Sequence, residues 1–200
     1  MLKGLLIFVV VHLLVITLII NTHSEASEDE WEIRSMSNGQ TILALRTGNV
    51  TYGDTLIFSL QNSDGKCDVL QELFTFYTTA ENLDVKKIEG KIIPIKFNEE
   101  KLYAKASYVL PFLMGHRVMF SMGSYKVNQH LDLMFKHKTY DVTIVNEVNS
   151  ERVGHPNMIK NFKALDYFDV PNNSWNLKGA KDAISRAQKL CLEYKESKIS

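Results

Sequence analysis

Leu102-Tyr103-Ala104-Lys105-Ala106-Ser107-Tyr108-Val109-Leu110 puts Leu102, Ala104, Ala106, Tyr108 and Leu110 on one side of an extended chain. Tyr103, Lys105 and Ser107 point to the other side. Such alternation marks a strand with one face buried and one wet, the arrangement antiparallel sheets permit. The pattern recurs from Trp31 to about Val148. Leu56, Phe58 and Leu60 oppose Thr55, Ser59 and Gln61, and Val118, Phe120 and Met122 share a face. The longest run sets Tyr125, Val127, Gln129, Leu131, Leu133 and Phe135 against Lys126, Asn128, His130, Asp132 and Lys136. Tyr140, Val142 and Ile144 close the series.

Turn chemistry separates the runs. Ser37-Asn38-Gly39, Tyr52-Gly53-Asp54, Asn62-Ser63-Asp64-Gly65 and Gly123-Ser124 combine residues that tolerate positive φ. Pro94 lacks a ladder donor and predicts a sheet edge or a bulge for Lys91–Phe97. Eight or nine strands are expected, forming a mainly β fold: an antiparallel sandwich or a partly open barrel. Residues 149–174 lose the alternation, and Phe162, Tyr167 and Phe168 are expected to tuck beneath the sheet. The period then changes. Leu177, Ala180, Ile184, Ala187, Cys191 and Tyr194 predict an amphipathic helix over about 176–196, capped by Asn176 and packed on the sheet.

Met1-Leu2-Lys3 followed by an apolar run from Gly4 to Ile20 reads as a secretory leader, with Ser24-Glu25-Ala26 as its cleavage site. The alternative is an uncleaved anchor, since this run of 17 residues, polar only at His12 and Thr17, also approaches the length of a membrane span. Both place the body of the chain outside the cytosol, in the periplasm or secreted. Membrane contact is expected only through this segment. Removing residues 1–26 leaves one β-rich domain over 27–200 with 22 basic and 22 acidic residues. That balance argues against nucleic acid as a partner.

Cys67 and Cys191 are the only cysteines. In an oxidising compartment an even pair within one domain is expected to form a disulfide, here joining a strand end to the apolar stripe of the last helix. No CxxC accompanies them.

The run Ser174-Trp175-Asn176-Leu177-Lys178-Gly179-Ala180, with Ala183, Ile184, Ala187 and Cys191, resembles the C-terminal motif of small exported proteobacterial proteins of the invasion-associated locus B type. The resemblance implies a soluble periplasmic β domain bridged to its last helix, and it carries over no catalytic residue. Trp31 is present upstream, without a nearby Cys.

No phosphate loop, nucleophile elbow or short histidine pair stands in the sequence, so no cofactor or metal is expected. The polar set Lys126, Asn128, His130 and Asp132, joined by His116 and Arg117, is the surface to test for binding. The carboxylates Asp132, Asp141, Glu147 and Glu151 are the other chemically able groups. Asn49-Val50-Thr51 and Asn172-Asn173-Ser174 fit the glycosylation sequon, which matters only on a eukaryotic secretory route. These features predict an exported accessory or interaction domain of the bacterial envelope whose partner is another envelope protein. The alternatives are a periplasmic hydrolase or metal-dependent enzyme using His116 or His130, and a membrane-tethered subunit of an envelope complex.

Overall fold

Thr55–Gln61 buries Leu56, Phe58 and Leu60 completely, but Ile57 and Ser59 of its other face, expected to be wet at Ser59, are buried as well. The period of two is plain in Thr139–Ile144, where Tyr140, Val142 and Ile144 are buried and Asp141 is exposed. The computed structural model describes residues 31–196 apart from positions 37–38, 52, 80, 82, 129–135 and 148–156. The leader expected over residues 1–26, Gln129 to Phe135 with His130 and Asp132, and His155 lie outside the described residues. Contacts divide the chain into Met1–Glu30 and Trp31–Ser200, and the second unit is the β body.

Among the described residues there are nine strands. They are β1 (Glu32–Met36), β2 (Thr41–Thr47), β3 (Thr55–Gln61), β4 (Val69–Thr79), β5 (Ile92–Phe97), β6 (Glu100–Phe112), β7 (Gly115–Lys126), β8 (Thr139–Ile144) and β9 (Asn172–Asn176). They form one sheet in the order β1-β2-β3-β4-β7-β6-β5-β8-β9, antiparallel throughout. A single curled half-barrel thus resolves the expected choice between sandwich and open barrel. Beyond β9 the circuit continues through the β2–β3 loop: the Asn49 N–H donates to the Ser174 carbonyl at 2.8 Å.

Two bulges interrupt the central strands. β4 pairs Glu72 with Gly123 and Leu73 with Ser121, leaving Met122 as the extra residue on β7. β6 pairs Ala106 with Phe120 and Tyr108 with Met119, leaving Ser107 as the extra residue. A bulge reverses which face the following residues occupy. Ala104 and Ala106 are therefore buried, but beyond Ser107 it is Val109 that turns inward, at 7% exposure. Tyr108 and Leu110, expected beside them, stand outside at 57% and 49%. Next to the tip of the β6–β7 hairpin, a Cβ on Gly115 would lie 2.0 Å from the Thr78 carbonyl oxygen, so only glycine lets β4 approach there.

The inside of the curl is packed with rings. Phe74 stacks on Phe120 at 5.0 Å and reaches Tyr140 and Trp175, while Phe76 meets Phe168 at 6.0 Å. Phe162 and Phe168 are buried, as expected of the loop-rich stretch. Helix α1 (Ala180–Glu196) packs against β1, β2 and β3. Its Ala180, Ala183, Ile184, Ala187 and Cys191 are fully buried, the small side chains bringing the helix axis close to the sheet. Cys191 is bonded to Cys67. The Gln188 amide donates to the Cys67 carbonyl at 2.9 Å, and the Asn62 amide donates to the Cys191 carbonyl at 3.0 Å.

Three local expectations change. The helix begins at Ala180 rather than near 176, because Asn172–Asn176 pairs with β8 as the last strand. The Asn176 side chain instead accepts the Lys178 N–H at 2.8 Å, and Gly179, at φ +77°, turns the chain into the helix. Pro94 does not mark an edge: β5 lies between β6 and β8. Its missing donor is tolerated because β8 pairs with β5 only from Ile95 onward. The long alternating run from Tyr125 stops being a strand at Lys126, and the chain enters a helical turn at Val127.

Candidate functional site

The outward side chains of β4, β7 and β6 surround a surface pit of about 350 Å³ lined by Gln71, Leu73, Lys105, Ser107, Tyr108, Met119 and Ser121. Small side chains at Ser107 and Ser121 leave the hollow, and the longer neighbours form its walls. The bulge at Ser107 is the local cause, since it lets Ser107 and Tyr108 line the same hollow although adjacent in sequence. The lining is one-sided in charge, although its hydroxyls and carboxamide can accept as well as donate. Two serine hydroxyls, a phenol, a carboxamide and one ammonium can all donate hydrogen bonds, and no carboxylate is present.

The pit continues into an apolar ridge. Beyond Tyr108 stand Leu110 and then the hairpin tip, where Leu113 and Met114 are each 84% exposed. Leu113 has φ +51°, a left-handed conformation that a large side chain seldom adopts. Beneath this display the Arg117 guanidinium lies 3.5 Å from the centre of the Phe112 ring.

A separate buried polar cluster closes the curl. The Asp54 carboxylate accepts the Tyr77 N–H at 2.6 Å and the Asn173 amide at 3.0 Å. Asn173 also accepts the Val50 N–H at 3.0 Å, and Arg117 donates to the Gly53 carbonyl at 3.1 Å. A Cβ on Gly48 would lie 2.4 Å from the Asn173 amide, so glycine is what admits β9 here. Burial pushes the Asp54 carboxyl from its ordinary 3.8 up to about 6, against the lowering effects of Asn173, Tyr77 and the Arg117 charge.

A carboxyl that holds its proton more tightly when folded contributes stability only while protonated. That contribution is complete below about pH 4 and is lost as pH rises through about 6, amounting to about 3 kcal/mol. Asp54→Asn cannot titrate. Relative to this variant, the wild type is expected to lose unfolding free energy between about pH 4 and pH 6.5 and to change little above that, read from urea denaturation at each pH. A difference that stays flat across the window refutes this assignment.

A second buried carboxylate, Glu72, accepts the Tyr140 phenol inside the curl. Burial and the Glu72 charge both push the Tyr140 hydroxyl far above its usual range, so it stays a donor. This pair joins β4 to β8 across the interior.

The residues singled out from sequence fall differently. Lys126 ends β7 and Asn128 stands in the helical turn after it, so these two do not share a strand face. His116 and Arg117 lie at the opposite end of β7, about 30 Å away along the strand. The buried Nδ1 of His116 has no hydrogen-bond partner, so no carboxylate orients the ring through that atom. Asp141 accepts the Ser174 hydroxyl at 2.5 Å, and Glu147 pairs with Lys101 at 3.1 Å. Among the described residues no three His, Cys, Asp or Glu side chains gather as metal ligands, and no helix is long and apolar enough to cross a membrane. The pit itself escaped the sequence reading. Its only sequence signal was a pair of serines on alternating strands, and the bulge that exploits them has no motif. Compared with known protein families, characterised proteins and solved structures, the chain matches none.

Proposed function

We propose that the chain is an exported binding domain of a bacterial envelope that works by association and holds another envelope protein against the β6–β7 hairpin. The observation that carries this reading is the donor-lined pit running into the exposed ridge of Tyr108, Leu110, Leu113 and Met114. Apolar side chains clustered beside polar ones are the composition of a protein docking surface. The interior offers less. It is filled by Phe74, Phe76, Phe120, Phe168 and Trp175, all fully buried, so a partner is met on the outside. The leader, the Cys67–Cys191 bond and the resemblance of the C-terminal motif support the exported setting.

The test is site-specific photo-crosslinking in the native host, with a photoreactive residue at Leu113 and a second at the exposed Lys181 on α1. A discrete adduct with another envelope protein from Leu113, absent from Lys181 and lost in Met114→Asp, supports the reading. Adducts only with a second copy of the chain, with lipid, or at equal yield from both positions overturn it.

A further inference from the structure

We propose that the pit on β4, β7 and β6 is a carboxylate-binding site, and that the docked partner anchors in it through an aspartate or glutamate side chain. This deepens the docking reading above and rests on it. The argument begins with what the lining contains. Lys105 supplies a positive charge, Ser121 and Tyr108 supply hydroxyls and Gln71 supplies an amide, while the Ser107 hydroxyl already donates to the Lys105 carbonyl at 3.4 Å. A carboxylate is acceptor-only and has four lone-pair directions to satisfy, so such a set of donors matches it and an ammonium finds no counter-charge there.

The charges nearest in register strengthen the case. Across the sheet Lys105 pairs with Ser121 on one side and with Ile92 on the other, so neither cross-strand neighbour is acidic. The nearby acid Glu72 is turned the other way, into the curl, where it accepts from Tyr140. The bulge at Met122 helps to separate them: Glu72 faces inward, and Leu73 beside it faces the pit. Among the described residues no carboxylate pairs with the Lys105 ammonium, which suits an external partner.

Size limits the ligand. A hollow of about 350 Å³ is at the small end of ligand sites, large enough for one side chain or a single sugar-sized group. Leu73 and Met119 give it an apolar wall against which the methylenes of a glutamate can lie. The adjoining ridge then supplies the area that a single ion pair cannot, since an exposed pair alone contributes little.

Zero-length carbodiimide coupling on intact envelopes tests this, because the reagent joins only an ammonium and a carboxylate already in contact. The expected product is a peptide from the chain cross-linked through Lys105 to an Asp or Glu of a second protein. Lys105→Glu is expected to lower partner capture at the Leu113 photoprobe about tenfold, and Lys105→Arg is expected to retain it while abolishing the carbodiimide product. Ser121→Leu, which fills the hollow from the outer face, is expected to lower capture as well. No Lys105 adduct with Leu113 photo-capture intact overturns the acidic anchor and leaves the docking reading standing. Loss of both signals overturns the docking reading itself. An adduct joining Lys105 to a sugar acid, or competition by millimolar galacturonate but not glutarate, identifies a glycan source and overturns the side-chain assignment.

Discussion

Cys191→Ser is expected to lower the melting temperature of the oxidised protein by about 10–20 °C. The bond closes a loop across a sequence separation of 124, and it removes about 4–5 kcal/mol of chain entropy from the unfolded state. In a domain of this size each kcal/mol corresponds to about 2–4 °C. The position magnifies the effect. Both sulfurs are buried, and the bond is the covalent tie between the start of β4 and the last turns of α1. The two flanking hydrogen bonds, Gln188 to the Cys67 carbonyl and Asn62 to the Cys191 carbonyl, lie at the surface end of the same contact and hold less once the tie is cut. Thermal unfolding with and without reductant checks this. The reduced wild type should melt near the variant, and coincident melting of oxidised wild type and variant removes the bond from the account.

Phe74→Ala is expected to cost about 3–5 kcal/mol of unfolding free energy. Phe74 is fully buried, and its ring touches Phe76 on its own strand, Phe120 on β7, Tyr140 on β8 and Trp175 on β9. In the sheet order β8 and β9 are separated from β4 by β7, β6 and β5, so this ring bridges the curl between strands that are not neighbours. Removing it opens a cavity that rigid neighbouring rings cannot collapse into. Leu73→Ala, one residue away but facing the outer pit, is the control, and it should cost about 1 kcal/mol or less. Urea denaturation midpoints with matched slopes read the difference. Equal losses at the two positions would show that the interior is not organised around Phe74.

The two substitutions illustrate what can be read from a linear chain. Cys191 sits on a 3.5-residue apolar stripe and Cys67 at a strand end, so their meeting is legible from patterning together with the expectation of an oxidising compartment. Phe74 is one apolar position among several in β4, and nothing local distinguishes it from Leu73. Its weight comes from β8 and β9 curling over it. The candidate site divides in the same way. Alternation puts Lys105 and Ser107 on the wet face, where they lie, but it also puts the exposed Tyr108 in the core, because a bulge has no signature in a period-two pattern. Lys126, Asn128, His130 and Asp132 looked like a continuous face for the converse reason: alternation persists past Lys126 while the strand does not.

By itself the sequence determined the strand-rich class, the antiparallel pairing, the terminal helix and the cysteine bond, because each depends on periodicity or on counting within short segments. Tertiary structure alone decided that the sheet curls on itself, that β9 occupies residues expected to be loop, that Asp54 and Asn173 clasp across 119 positions, and that Ser107 bulges to open the pit. These features arise from contacts between segments distant in the chain. There the free energy of closing the curl overrides local preference, and no window of neighbouring residues contains it.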